Sequence, residues 1–399
     1  MGDSRLAQLY RNGLFQEKQD LRIPGPTPVP PAVMRAASRA MVNHRGAGFR
    51  ETLARVVQGL QKVLQTRSPL VLLTGSGTAG MEAAAANLIS PGERVLVLVG
   101  GFFGQRWVEV LRAFGAEVEV YEYPWHTGAD PEEVARRLRQ RPETVAVFMT
   151  HNESSTGVLN DVEAISRARR EAGSQALLVV DSVSGLGGAP LPMDAWEVDV
   201  VVSASQKCLM APPGLAIVAA CERAWERMKA SRASRYYLDL WAHRRQLEKG
   251  QTPWTPAVSV VFALEQALEL LEQEGDEARF ARHRLMRDMV RAGLSALGLP
   301  LLVESRWASP TVTAVEGPAG ADVDELRRTI AAETGVVLSG GQGALAGRIF
   351  RVGHMGYATP MDMVSAVAAV EVAMARMGLP VQRGQGVAAA EEVWVQWLR

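Results

Sequence analysis

Between residues 70 and 219 the chain repeats one rhythm, and that rhythm leaves few folds open. Short Val- and Leu-rich runs (70–73, 95–99, 118–121, 145–149, 177–180, 200–202 and 216–219) are interleaved with helical stretches at 79–89, 104–114, 131–140 and 161–172. Strands that take turns with helices form parallel pairs joined by crossovers. The expected fold is therefore α/β, with a mainly parallel central sheet and helices on both faces. Runs without polar alternation suit strands buried on both sides.

After Pro256 the pattern changes. Helical periodicity predicts two long helices at 260–272 and 277–297, and further helices near 322–333 and 361–376. Short strands are expected near 301–303, 311–315, 336–338 and 348–352. This mixture reads as a smaller α+β unit. A chain of 399 residues is long for one core, so two domains are expected. The division is an N-terminal segment (1–20, a short polar helix), a large domain (21–258), a small domain (259–378) and a tail (379–399) to which no structure is assigned, although its end could form one more helix. Between residues 23 and 31 lie Pro24, Pro26, Pro28, Pro30 and Pro31, which forbid helix and hold the chain extended. A linker or a strap across a site would both satisfy that pattern. A helical face is expected at 52–66.

Charge and cysteine content exclude several classes of function. The formal net charge is +0, which gives no electrostatic reason to expect nucleic acid or an acidic membrane. Two cysteines are too few for a disulfide framework or a cysteine zinc site, and they suit a reducing compartment. The start Met1-Gly2-Asp3-Ser4-Arg5 opens no apolar signal region, and no apolar run approaches about 18 residues. A soluble cytoplasmic protein is expected.

In open parallel sheets, ligands bind beyond the carboxyl ends of the strands. The first run is followed by Thr74-Gly75-Ser76-Gly77-Thr78 and then a helix. Glycines, hydroxyls and a helix N-terminus can cradle a phosphate, although Ser76 or Thr78 could equally be a plain helix cap. The second run leads to Gly100-Gly101-Phe102-Phe103-Gly104, where one aromatic could stack on a planar ring or simply join the core. The fourth is followed by the polar cluster His151-Asn152-Glu153-Ser154-Ser155-Thr156-Gly157. That cluster could be a solvated loop; no second histidine lies at ligand spacing, so a metal is not read from it. Asp181 closes the fifth run and needs a partner there, either a salt bridge, a helix end or a protonated ring nitrogen. Lys207 differs from the other four lysines in having apolar and small neighbours. Desolvation would lower its pKa and make it nucleophilic toward an aldehyde, whereas a surface lysine would do neither. Arg351, inside the apolar Phe350-Arg351-Val352-Gly353, could clamp a carboxylate or serve an internal ion pair.

Together these make a matched set: a phosphate cradle, a stacking aromatic, a carboxylate for a ring nitrogen, a reactive lysine and a carboxylate clamp. Pyridoxal phosphate and an amino acid require such a set. From Gly25-Pro26-Thr27-Pro28 to about Arg376 the chain resembles the class V aminotransferases of the alanine–glyoxylate and serine–pyruvate group. The resemblance rests on Asn43-His44-Arg45, Ser76-Gly77-Thr78, Gly104-Gln105-Arg106, His151 to Leu159, Asp181-Ser182-Val183, Ser203 to Lys207, Pro212-Pro213-Gly214 and Phe350 to Gly353.

The resemblance implies the fold type I architecture of pyridoxal-phosphate-dependent transferases and a homodimer with sites at the interface. It implies that Lys207 carries the cofactor as a Schiff base and shuttles the proton. Asp181 would bind the pyridinium nitrogen, Phe103 would stack on one ring face and Val183 would press on the other. Ser154 and Gln206 would bond around the ring hydroxyl, while Ser76, Gly77 and Thr78 would hold the phosphate, joined by Gln206 or its neighbour. Thr255 would reach the phosphate of the partner subunit, and Arg351 would bind the substrate α-carboxylate. Two positions depart from relatives. Thr252 stands where some have a tyrosine, and Ala257 stands where proline usually follows Thr-Pro.

The implied reaction is a ping-pong amino transfer from alanine or serine to glyoxylate or pyruvate. Aspartate or a phosphorylated amino acid is the alternative donor. Cysteine desulfurases share the fold, but Cys208 adjoins the lysine and Cys221 follows the next strand, so neither suits a sulfur-carrying mobile loop. A non-catalytic subunit is a third reading, since some similar sequences are labelled soluble hydrogenase subunits. A cofactor-binding transcription regulator would need a DNA-binding domain ahead of residue 21, and none is read there.

Overall fold

The computed structural model describes residues 19–399. The helix expected in 1–20 lies outside the described residues except at its end, where Asp20 instead begins a short strand, Asp20–Leu21, paired with Val336 and Val337. Seven strands form the central sheet: β1 (Leu70–Thr74), β2 (Arg94–Val99), β3 (Glu117–Glu122), β4 (Ala146–Thr150), β5 (Leu177–Asp181), β6 (Val200–Ala204) and β7 (Leu215–Ala220). Their order is β1-β7-β6-β5-β4-β2-β3. β7 is antiparallel to β1 and β6, and the other four pairings are parallel. The reversal has a local cause. β6 and β7 are joined by the loop Ser205–Gly214 without a crossover helix, so the chain must return antiparallel.

Alternate residues of each strand enter opposite cores. Val95, Val97 and Val99 join Phe148, Val179 and Val202 on one face, while Leu96 and Leu98 join Val147, Leu178 and Val201 on the other. Helices Gly77–Leu88 and Phe102–Ala113 cover the first face; helix Val258–Glu274 helps cover the second, alongside Pro31–Ala37 and Ala47–Leu64. Val258–Glu274 thus buries its apolar side on the large-sheet core, although in sequence it opens the segment assigned to the small unit.

The smaller unit is built on an antiparallel sheet, β8 (Val312–Glu316), β9 (Ser339–Gly340) and β10 (Ile349–Gly353), in the order β8-β10-β9. Helices Asp276–Ala296, Val323–Thr334 and Pro360–Arg376 share its core with Phe350 and Val352. The strand expected at 301–303 reduces to a single bridge between Leu301 and Val315, because a 3-10 turn at Ser305–Trp307 takes the chain away. The tail, left without an assigned structure by the sequence, forms a helix, Gln385–Trp397, packed on Asp276–Ala296. Glu371 anchors its start by accepting from Gly384, Gly386 and Val387 N–H at 2.8, 2.7 and 3.1 Å. A carboxylate there also faces the positive end of the helix. No helix among the described residues is long and apolar enough to cross a membrane.

Two buried histidines tie separate segments of the smaller unit together. His283 bonds through Nδ1 to Arg279 O and through Nε2 to Gly356 N–H; His354 bonds to Pro310 O and Thr313. Burial pushes both pKa values down to about 3, and those of His151 and His243 to about 4. A folded-state value below the unfolded 6.5 means that the unfolded chain takes up protons first, so stability falls as pH drops below 6.5. Asp181 and Glu153 are shifted upward by burial and offset part of this. Each uncompensated proton is worth about 1.4 kcal/mol per pH unit. Urea titrations between pH 7 and 5 are expected to show a falling midpoint; a midpoint rising over that interval contradicts this account.

Candidate active site

Lys207 lies in the loop that reverses the chain. Ser205 fixes the loop's start, its N–H donating to Leu215 O at 3.0 Å and its hydroxyl to Pro212 O at 2.7 Å. Met210 N–H closes the turn on Lys207 O at 3.0 Å, with Met210 itself left-handed at φ 58°. The proline-rich segment is a strap drawn across this loop. Thr27 bonds to Gln206 O and Lys207 O, both at 3.2 Å, and Lys207 Nζ donates to Pro24 O. Gly25 is required beneath the lysine, since a Cβ there would lie 2.5 Å from Lys207 Cδ and φ is +99°. Desolvation chiefly pushes the Lys207 pKa down to about 8; Arg351 and Arg106 add to the shift, while Cys208 and Asp181 oppose it.

Asp181 is the last residue of β5 and is buried. One oxygen accepts from Val183 N–H at 2.8 Å. Among the described residues it has no cationic partner within salt-bridge reach. Burial, reinforced by the nearby Glu153 charge, pushes its pKa up to about 7. Its backbone carbonyl accepts from His151 N–H at 2.8 Å, and His151 Nδ1 is 3.0 Å from Ser182 Oγ.

Both groups line one cavity of about 220 Å³. Nine of the eleven residues expected from sequence line it: Ser76, Gly77 and Thr78 at the start of helix Gly77–Leu88; Phe103; Ser154; Asp181 and Val183; Gln206 and Lys207. Arg351 lies just behind the wall. Its Nη1 donates to Ser154 O at 2.7 Å and its Nε to Gly340 O at 2.9 Å, and desolvation lowers its pKa to about 10. Thr255 is exposed and does not line the cavity. Thr252 turns its hydroxyl to Trp254 O at 2.7 Å.

Four lining residues are absent from the expected set: Met81, Arg106, Asn152 and Ser184. Met81 and Arg106 each stand three residues after an expected one, Thr78 and Phe103, which puts them on the same helix face. Asn152 Nδ2 donates to Ser184 Oγ at 2.8 Å and to Thr311 Oγ1 at 2.9 Å. Geometry bears on two of the open alternatives. Ser76 is the N-cap residue, but its hydroxyl makes no capping bond, so it remains available to a ligand. The polar stretch His151–Gly157 is buried throughout rather than solvated. Its Glu153 caps helix Phe102–Ala113, accepting from Phe103 N–H at 3.1 Å and Gly104 N–H at 3.0 Å, while Ser155 Oγ accepts from Phe102 N–H at 3.0 Å. Phe103 is thereby fixed at the cavity edge.

Residues 21–378 match the family model described as Aminotransferase class-V. The chain belongs to the class V aminotransferases. Relatives agree over nearly the full length. It is 42% identical over 383 residues to a protein named soluble hydrogenase, small subunit, of Synechococcus sp., covering 95% of this chain and 99% of that one. It is 37% identical to the L-aspartate–glyoxylate aminotransferase of Paracoccus denitrificans, covering 94% and 96%. Among solved structures, the pyridoxamine–pyruvate aminotransferase of Mesorhizobium loti superposes with a TM-score of 0.89 at 34% identity, covering 94% and 97%. The aminotransferase is a pyridoxal-phosphate enzyme of fold type I that moves an amino group between an amino acid and an oxo acid.

The cavity fits that cofactor on its own terms. Gln206 Oε1 is buried without a protein partner, one Asp181 oxygen lacks a cation, and the Ser76 hydroxyl is unspent. A ring hydroxyl, a ring N–H and a phosphate would satisfy them. A Cβ at Gly77 would sit 2.6 Å from Val183 Cγ2, so only glycine lets this helix start approach Val183 so closely. Glu153→Gln keeps the shape but turns an N–H toward the helix donors. It is expected to destabilise the aminotransferase by about 2 kcal/mol, from the lost charged bonds; an unchanged urea midpoint would remove Glu153 from this role.

Proposed function

We propose that the cavity holds the cofactor with its phosphate on Ser76, Gly77 and Thr78, its ring between Phe103 and Val183, its ring nitrogen on Asp181 and its ring hydroxyl near Ser154 and Gln206. The carrying observation is that Lys207 and Asp181, both desolvated and both shifted toward neutrality, line the same small cavity. When bound, pyridoxal phosphate supplies a carbonyl that accepts the amino group and a ring that draws electrons from the substrate Cα. Lys207 Nζ, with a pKa near 8, holds a sizeable neutral fraction at neutral to mildly basic pH. It can therefore act first as a nucleophile and then as the base that takes the substrate Cα proton. Asp181 as carboxylate keeps a proton on the ring nitrogen, and that proton in turn favours its ionised form. Arg351 receives the substrate α-carboxylate; its bonds to Ser154 O and Gly340 O orient the guanidinium beside the cavity wall.

For substrates we favour a small L-amino acid, alanine or serine, as donor and glyoxylate or pyruvate as acceptor. The names of several relatives, serine–glyoxylate aminotransferases among them, support this reading. Aspartate is the alternative donor, favoured by the Paracoccus relative. The working form in this reading is a cytoplasmic homodimer. Tyr236 and Tyr237 stand exposed, with ring centroids 5.0 and 5.9 Å from Trp254. The segment beyond them carries exposed Thr255 and is tied to β1 by Ala257 N–H on Thr74 Oγ1 at 3.1 Å. An exposed aromatic patch at this place suits burial by a second copy, whose site Thr255 would then complete.

Purified enzyme is expected to be yellow and to convert its bound cofactor to the amino form with a donor from an amino-acid panel. Lys207→Ala should lose the covalently held chromophore and most turnover, about a thousandfold or more. Turnover at the wild-type rate would sink the assignment. Arg351→Ala should act mainly on KM, raising it roughly 100- to 1000-fold, as expected when a buried charged pair with substrate is lost. A fall in kcat with KM unchanged would place the substrate carboxylate elsewhere.

A further inference from the structure

We propose that Arg106 is a phosphate-binding residue that also clamps the ring-stacking aromatic in place. The inference rests on the placement of the phosphate at Ser76, Gly77 and Thr78. Arg106 lines the cavity together with Thr78, Asp181 and Lys207. Its Nη1 donates to Thr78 Oγ1 at 3.2 Å. A hydroxyl that accepts from arginine must send its own hydrogen elsewhere, and among the described residues Thr78 Oγ1 donates to none. It is set to donate into the cavity, to an acceptor such as a phosphate oxygen.

Arg106 has no carboxylate partner within 4.0 Å among the described residues. Its guanidinium is instead held over two aromatic faces, 4.7 Å from the Phe103 centroid and 5.3 Å from that of Phe102. An unpaired, partly buried guanidinium beside the N-terminus of helix Gly77–Leu88 makes a strongly positive corner. Two positive features meet there, which suits a doubly charged anion better than a single carboxylate. The stacking also gives Arg106 a second effect. With one face of the guanidinium on Phe103, binding of the anion at its edge fixes the ring that bounds the cofactor. The electrostatic reach is consistent, since Arg106 stabilises the ionised form of Asp181 and disfavours the charged form of Lys207.

The test separates the phosphate from the ring. Full-length wild type, R106Q, R106K and T78V, freed of cofactor, are titrated with pyridoxal phosphate and with pyridoxal, which has the ring and aldehyde but no phosphate. Binding is followed by absorbance, and the melting temperature of each cofactor-free chain reports its folding. R106Q is expected to weaken pyridoxal phosphate about 10- to 100-fold while leaving pyridoxal within about twofold. R106K, which keeps the charge without the fork, should lose about 3- to 10-fold for the phosphorylated ligand, and it carries the comparison should R106Q not fold. Equal weakening of both ligands, or no weakening of either, overturns the inference. If T78V lowers the phosphate preference and R106Q does not, the Arg106 inference fails while the phosphate placement stands. If neither variant changes that preference, the phosphate binds elsewhere and both fail. Amino transfer by the wild type is independent of all these outcomes.

Discussion

The site depends on charges held where water cannot solvate them. Asp181 is driven toward the neutral acid, Lys207 toward the free amine and Arg351 downward from its ordinary value, in each case chiefly by burial. None has an opposite charge within salt-bridge reach among the described residues. A protein would normally remove such groups or pair them, because uncompensated burial of charge is costly. Protein hydrogen bonds meet part of that cost, and in the proposed reading ligands supply the missing countercharge. A protonated ring nitrogen suits Asp181, an aldehyde suits the amine of Lys207, and carboxylate and phosphate suit the arginines. The destabilised groups and the chemistry of the cofactor answer each other.

The fold makes this arrangement with few devices. A mainly parallel sheet sends the ends of β1, β2, β4 and β5 to one edge, and helix N-termini and turns gather there. The single antiparallel strand β7 then brings the chain back through Ser205–Gly214, which sets Lys207 beside Asp181, whose strand is next in the sheet. The strap at residues 22–28 closes over the lysine. Its carbonyl at Pro24 takes the amine's hydrogen bond, so the lysine is oriented as well as desolvated.

The strand–helix rhythm was legible because period-two burial from both faces leaves uninterrupted apolar runs, as at Val95–Val99 and Val200–Val202. Lys207 and Asp181 stood out for a related reason: a charge ending such a run needs an explanation. Three features were not legible. The proline segment showed only that it was extended, since a contact across 183 residues, Lys207 to Pro24, leaves no local periodicity. Glu153 looked like one polar residue in a polar loop, because its donors lie some 50 residues away on helix Phe102–Ala113. Helix Val258–Glu274 carries apolar residues around much of its circumference, so sequence alone could not say which core would receive it.

Glu153 links these observations. Its carboxylate is buried against the first turn of the helix that carries both Phe103 and Arg106, and its field acts on Asp181 and Arg351. It raises the pKa of Asp181, which opposes ionisation there, and it favours the charged form of Arg351. Burial raises the pKa of Glu153 itself, while bonds from Ser155, Gly104 and Phe103 oppose that rise; in its ionised form it makes Asp181 more dependent on a protonated ring nitrogen and favours the charged form of Arg351. The residue has no need to touch either ligand. By holding one helix N-terminus it sets the position of the Phe103 ring, and by its charge it biases the two groups on which cofactor and substrate would rest.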